Sequence, residues 1–229
     1  MGSKNKLKRF RENATFPNVI QPERSTLEAN QFNLKGNWNS SFFKNNYPII
    51  LELGCGKGEY TVHMAAQNPK INYIGIDIKG ARFWKGAKIA LAEDRLNVAF
   101  VRMQVELIEA VFAPNEVAEI WITFPDPQIK LKRTKHRLTQ PNFLKRYANV
   151  LQPNGVIHLK TDSEFLHGYT LGLIESGWGK LLYAHHNIYQ NPHAPKVATT
   201  VQTFYEKKFL KENKPITYIR FQLNKDERA

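Results

Sequence analysis

The 229-residue chain carries 33 Lys and Arg against 20 Asp and Glu, a formal net charge of +13, with 42% hydrophobic residues. That composition fits a globular domain with a substantial core. The single cysteine, Cys55, excludes an internal disulfide and a Cys-based metal cluster, and no apolar run is long enough to span a membrane.

The charge predicts attraction to polyanions, nucleic acid first among them. Residues 1–46 read as a basic N-terminal arm and leading segment, flexible at KNKLKRFREN and then irregular or short-helical. One domain over 47–229 follows. PIILEL (48–53) is an apolar run bounded by turn residues, hence a buried strand. EYTVHMAAQ (59–67) has helical spacing, and NYIGIDI (72–78) reads as the next strand. ARFWKGAKIALAED (81–94) is a helix with Phe83, Trp84, Ala87 and Leu91 on one face. A strand NVAFVRM (97–103), a short helix VELIEAVF (105–112) and a strand EIWITF (119–124) come next. QPNFLKRYANVLQPNG (140–155) reads as a helix opened by Pro and closed by Pro-Asn-Gly. VIHLKTD (156–162) is a strand and EFLHGYTLGLIESGW (164–178) a helix. LLYAHHNIY (181–189) and TYIRFQLN (217–224) are strands, with FYEKKFLKEN (204–213) helical between them. This alternation predicts an α/β fold, a mostly parallel sheet of about seven strands with helices on both faces. Ligands of such sheets bind beyond the carboxyl ends of the strands.

The first strand runs into Glu52-Leu53-Gly54-Cys55-Gly56-Lys57-Gly58. The spacing is G-x-G-x-G, neither the G-x-G-x-x-G of nicotinamide and flavin cofactors nor a phosphate loop. Glu52 would repel a pyrophosphate and suits a cation. S-adenosylmethionine carries a sulfonium and an ammonium and no phosphate. Asp77, at the end of the second strand, is placed to accept ribose hydroxyls, and equally to cap the following helix. Gln104, after the third strand, is placed for an adenine amine or as a loop residue without a role. Cys55 reads as a small residue in a tight turn, with no base nearby to make it a nucleophile. Glu52, Asp77 and the turn look like the cofactor site of Rossmann-like S-adenosylmethionine methyltransferases. The candidate cofactor residues are Glu52, Gly54, Gly56, Asp77, Gln104 and Asp126.

The fourth strand ends in Phe124-Pro125-Asp126-Pro127, whose prolines restrict the backbone and remove two N–H donors. Asp126 is the candidate catalytic residue. Residues 130–137 then hold Lys130, Lys132, Arg133, Lys135, His136 and Arg137. A charge run usually marks a solvated face. Beside a candidate catalytic acid it points to nucleic-acid phosphates. A carboxylate can accept from guanine N1–H and its exocyclic amine. Guanine N7 has a free lone pair, so its methylation needs no strong base, and a carboxylate would stabilise the cationic ring formed.

From about Lys35 to Gln222 the chain resembles the bacterial-type tRNA (guanine-N7-)-methyltransferases. The most specific parts are the stretch 52–58, Gly75-Ile76-Asp77, Phe124-Pro125-Asp126-Pro127, Leu159-Lys160-Thr161-Asp162 and Thr203-Phe204-Tyr205-Glu206. The resemblance implies a Rossmann-like methyltransferase that uses S-adenosylmethionine, without a metal, to make 7-methylguanosine in the variable loop of tRNA. It implies that Glu52, Asp77, Gln104 and Asp126 contact or adjoin the cofactor. Lys130, Asp162, Thr203, Phe204, Tyr205 and Glu206 would meet the substrate guanosine or its neighbours, and Lys132, Arg133, Lys135, His136 and Arg137 would touch RNA. The family often has Pro-Trp-Pro-Lys where this chain has Pro127-Gln128-Ile129-Lys130, and Asp or Asn at Gln104. By spacing alone, Asp162 would cap the helix starting near Ser163, and Thr203 with Glu206 would form a capping box. The expected partner is tRNA, with no membrane and no obligate protein partner, for a cytoplasmic monomer or homodimer.

Overall fold

The computed structural model describes residues 3–224. Its first part contains α1 (Ser3–Thr15), β1 (Val19–Ile20), α2 (Arg24–Glu28), a π-helical turn at Trp38–Phe43, β2 (Ile49–Leu53), α3 (Glu59–Gln67) and β3 (Asn72–Ile76). Next come α4 (Gly80–Ala92), β4 (Val98–Val101), a 3-10 turn at Val105–Leu107, α5 (Ile108–Val111), β5 (Val117–Thr123) and a 3-10 stretch at Leu131–His136. Then follow α6 (Pro141–Val150), β6 (Leu151–Thr161) and α7 (Glu164–Leu173) with a π-helical end at Ile174–Trp178. The last are β7 (Gly179–His185), α8 (Lys196–Thr199), α9 (Phe204–Lys211) and β8 (Thr217–Leu223).

The strands form one sheet in the order β1-β4-β3-β2-β5-β6-β8-β7. β8 is antiparallel to β6 and β7, and the other pairs are parallel. The chain moves outward from β2 to β3 and β4, then returns to lay β5 against the other edge of β2. That reversal opens a crevice at the carboxyl ends of β2 and β5. Every residue of β2, β3 and β4 is buried, as in sheets covered on both faces. Along β2, Ile49, Leu51 and Leu53 enter one core layer and Ile50 the other. Side chains alternate in a strand, so Glu52 shares the face of Ile50, the layer that holds Tyr60, Val62 and Met64 of α3.

The sheet has eight strands where the sequence predicts about seven. The additional one, β1, is only two residues long and pairs Val19 with Phe100 and Ile20 with Val101. Two residues carry no readable periodicity. Where a flexible arm is expected, α1 is a 13-residue helix docked on α4. Asn13 Nδ2 donates to Gly80 O at 2.9 Å, the Trp84 indole N–H donates to Glu12, and the Arg9 guanidinium lies 4.8 Å from the Trp84 ring. Trp38 anchors the rest of the leading segment, fully buried and donating its indole N–H to Val111 O at 3.0 Å.

The helix expected over 140–155 stops at Val150. The following residues begin β6, whose register against β5 jumps from Val117–Leu151 to Glu119–Val156. Pro153 cannot continue a helix, and Asn154 takes a left-handed φ of 62°. The strand expected over 181–189 ends at His185. Among the described residues, no helix is long and apolar enough to cross a membrane.

Candidate active site

β2 delivers Glu52 and the glycine turn to the crevice. The turn is tied to the end of β3, because Gly54 N and Cys55 N donate to Ile76 O at 2.8 and 3.0 Å. Gly56 has φ 57°, and its N–H donates to Asp77 Oδ2 at 3.0 Å. At Gly58, φ is 72° and an added Cβ would meet the Phe100 ring at 2.5 Å, so both backbone and packing exclude a side chain. Asp77 Oδ1 accepts from Lys79 N at 2.7 Å. One buried carboxylate thus fastens the glycine turn and the entry to α4.

Glu52 is 5% exposed. Its Oε2 accepts from Thr61 N at 2.9 Å and from Thr61 Oγ1 at 2.5 Å, and its Oε1 accepts from Thr123 Oγ1 at 2.6 Å. Burial outweighs these bonds and pushes the carboxyl pKa up to about 7. Burial, with the negative charges of Glu52 and Asp77, also pushes the Cys55 thiol up. A protonated thiol is a poor nucleophile.

A cavity against the turn is lined by Glu52, Gly54, Gly56, Tyr60, Arg82, Thr123, Phe124, Thr203 and Tyr205 among others. Ile78, next to Asp77, begins a second and larger hollow shared with Met103, Gln104 and, from the leading segment, Gln21, Arg24 and Leu27. There Gln104 Oε1 accepts from Arg24 Nη1 at 3.0 Å. Beyond β5 the chain turns sharply, with Phe124 at φ 48° and Phe124 N donating to Lys160 O at 2.8 Å. Asp126 is exposed, and its Oδ1 accepts from Gln128 N at 3.1 Å.

Asp162 lies half-buried just after β6. Ser163, not Asp162, caps α7, its Oγ accepting from Leu166 N at 3.2 Å. Thr203 and Glu206 form the capping box of α9. Glu206 is fully buried, its Oε1 2.6 Å from Lys160 Nζ and accepting from the Tyr189 hydroxyl at 2.6 Å. Lys160 is equally buried and donates to Val201 O at 3.0 Å. Burial pulls its pKa below the ordinary lysine value, against the opposing charge of Glu206. Phe204 N donates to Glu59 Oε2 at 2.9 Å, and Lys57 Nζ sits 3.4 Å from the Phe204 ring centroid. The Thr203–Glu206 stretch is therefore held from β6 on one side and from the start of α3 on the other, with the rings of Phe204 and Tyr205 about half exposed.

Lys130, Lys132, Arg133, Lys135 and His136 are exposed on and beside the 3-10 stretch. Arg137 is not; it is 5% exposed and faces inward. The structure thus gathers Glu52, Gly54, Gly56, Thr203 and Tyr205 around one cavity and sets Gln104 in the second hollow. Asp126 and Lys130 stand on the loop after β5, while Glu206 and Arg137 lie inside the protein. Sequence reasoning missed Thr61, Thr123, Tyr60 and Lys160. Thr123 had a usable signal, a hydroxyl closing an apolar strand. Thr61 had none, since only the packing of α3 on the sheet brings it to Glu52.

A family model described as "Putative methyltransferase" matches residues 46–219. A tRNA (guanine-N(7)-)-methyltransferase of Christiangramia forsetii is 66% identical over 97% of this chain and 100% of its own length. One of Bacteroides thetaiotaomicron is 44% identical over 96% of this chain and 86% of its own. Among solved structures, the 16S rRNA methyltransferase KamB superposes with a TM-score of 0.63 over 81% of this chain and 92% of its own, at 13% identity, a likeness of fold alone. Near-complete coverage at such identity, on a sheet of this order, leads to one conclusion: the chain belongs to the tRNA (guanine-N(7)-)-methyltransferase family.

Proposed function

We propose that this protein transfers the methyl group of S-adenosylmethionine to N7 of a guanine in the variable loop of tRNA. The observation that carries the reading is the buried acid Glu52 against a glycine turn fastened to Asp77, with the Asp126 loop leaving the adjacent strand. The names of the relatives support the acceptor.

The residues fit the cofactor. Glu52 offers an acid to a cation, and Gly54 and Gly56 bring backbone to the cavity without side chains. Asp77 adjoins the turn for ribose hydroxyls, and the hollow that holds Ile78, Met103 and Leu107 with the amides of Gln21 and Gln104 offers an adenine apolar contact and hydrogen-bond partners. When bound, the cofactor supplies a methyl group on a positively charged sulfur. Guanine N7 would accept that group with its free lone pair, the electron pair of the broken S–C bond remaining with the sulfur, so no residue would need to take a proton. The protein's part is positioning and charge. Asp126 accepts from guanine N1–H and its amine and offsets the charge arriving on the ring. Thr203 Oγ1 accepts the cap bond from Glu206 N and keeps its proton to donate. Phe204 and Tyr205 offer faces for a base to stack on. Lys130, Lys132, Arg133, Lys135 and His136 hold phosphates, while Asp162 flanks the guanosine.

The test is methyl transfer from labelled S-adenosylmethionine to unmodified tRNA transcripts. Label should appear in 7-methylguanosine and vanish when the variable-loop guanine is replaced. Label in another nucleoside, or none from a protein that binds S-adenosylhomocysteine, overturns the acceptor. Asp126→Ala should lower kcat by about 10²-fold or more with the fold intact; near wild-type turnover would remove Asp126 from the chemistry.

A further inference from the structure

We propose that Arg137 is a positioning residue that holds the Asp126 loop, and not one of the cations that meet RNA. This rests on the role given to Asp126 above. Arg137 closes the basic run, yet it is 5% exposed while Lys130, Lys132, Arg133, Lys135 and His136 stand in solvent. Its Nε donates to Gln128 O and its Nη2 to Ile129 O, both at 3.2 Å. The guanidinium lies 4.8 Å from the Phe165 ring centroid and 4.6 Å from that of Tyr169, two rings one turn apart on α7. Among the described residues it forms no ion pair with a carboxylate. Its bonds go to the loop.

Gln128 is the joint. Its carbonyl accepts from Arg137 and its N–H donates to Asp126 Oδ1 at 3.1 Å. The path from Arg137 to the carboxylate is two hydrogen bonds through one residue. The loop needs such support. Pro125 and Pro127 supply no N–H, and Phe124 and Gln128 both sit at φ 48°, a conformation unfavourable for either side chain. Strained backbone persists only where its surroundings over-determine it. A planar guanidinium can bridge neighbouring carbonyls while stacked on rings, and a lysine ammonium cannot. Arg137 therefore ties the loop that carries Asp126 to α7.

The experiment compares the full-length wild type with Arg137→Lys and Arg137→Ala. It reads tRNA methylation kinetics, tRNA affinity against salt, and hydrogen exchange across residues 124–137. Both variants should lose about 10²-fold in kcat, the scale of a misplaced reacting group. Affinity for tRNA and its log–log salt slope should stay at wild-type values. Loop amides should exchange faster while those of the sheet do not. Retained kcat at saturating tRNA, with the salt slope reduced by about one, would make Arg137 a phosphate contact and overturn the proposal. So would wild-type exchange in the loop. Arg137→Lys keeps the charge and carries the test alone if Arg137→Ala fails to fold. The exchange measurement needs no turnover, so it judges Arg137 even if the wild type methylates another nucleoside and the functional reading fails.

Discussion

Glu52 shows how a single side chain can hold opposing demands. Three hydrogen bonds from Thr61 and Thr123 favour the carboxylate, and burial, the larger effect, favours the acid. The result, a pKa raised to about 7, has a definite sign. Folding then takes up a proton between about pH 4.5 and 7, so stability from this group is complete below that window and is lost as pH rises through it. Glu52→Gln should flatten that part of the stability–pH profile, as urea melts across pH would read. A bound cation should reverse the balance and expel the proton. Calorimetry of S-adenosylmethionine binding near pH 7, in buffers of different ionisation enthalpy, should therefore show proton release that is absent in Glu52→Gln. The same variant should bind about 10- to 100-fold more weakly, the scale of a lost charged hydrogen bond. A binding heat independent of buffer would mean that Glu52 is already ionised.

At the scale of elements, the notable joint is between β6 and the segment leading into α9. Spacing alone makes Thr203 and Glu206 a capping box, and the box is present. Spacing does not say that Glu206 is also the fully buried partner of Lys160. With both oxygens engaged inside the protein, Glu206 holds the start of α9, where Thr203, Phe204 and Tyr205 lie. Removing one partner of a buried pair strands the other charge. Glu206→Gln or Lys160→Met alone should destabilise by about 3–5 kcal/mol. The double substitution should cost clearly less than the sum of the two, in thermal melts and in methylation KM alike. Additive losses would show that the pair is not coupled.

For the whole molecule, a net charge of +13 draws any polyanion, and only its distribution can select an orientation. Lys132 and Arg133 lie beside the Asp126 loop, exposed at the carboxyl edge of the sheet. Replacing both with Ala should weaken tRNA binding and lower the log–log salt slope by roughly one per lost phosphate contact. An unchanged slope would place the phosphates elsewhere, with the basic helix α1 the next surface to examine.

The sequence by itself determined the alternating α/β order, the G-x-G-x-G turn with its two acids, and the proline-flanked acid of Phe124-Pro125-Asp126-Pro127. Each is local: apolar runs specify buried strands, glycines specify turns, and prolines restrict the loop. Tertiary structure alone decided how these local signals are used. Thr61 and Thr123 reach Glu52 because β2, β5 and α3 pack around it. Arg137 reads like its basic neighbours, but the rings of α7 and the carbonyls of the loop draw it inward. Lys160 and Glu206 are far apart in the chain and meet only because β6 runs beside the segment before α9. A sequence lists charges in order; whether a charge faces water or a partner is set by contacts between residues distant in that order.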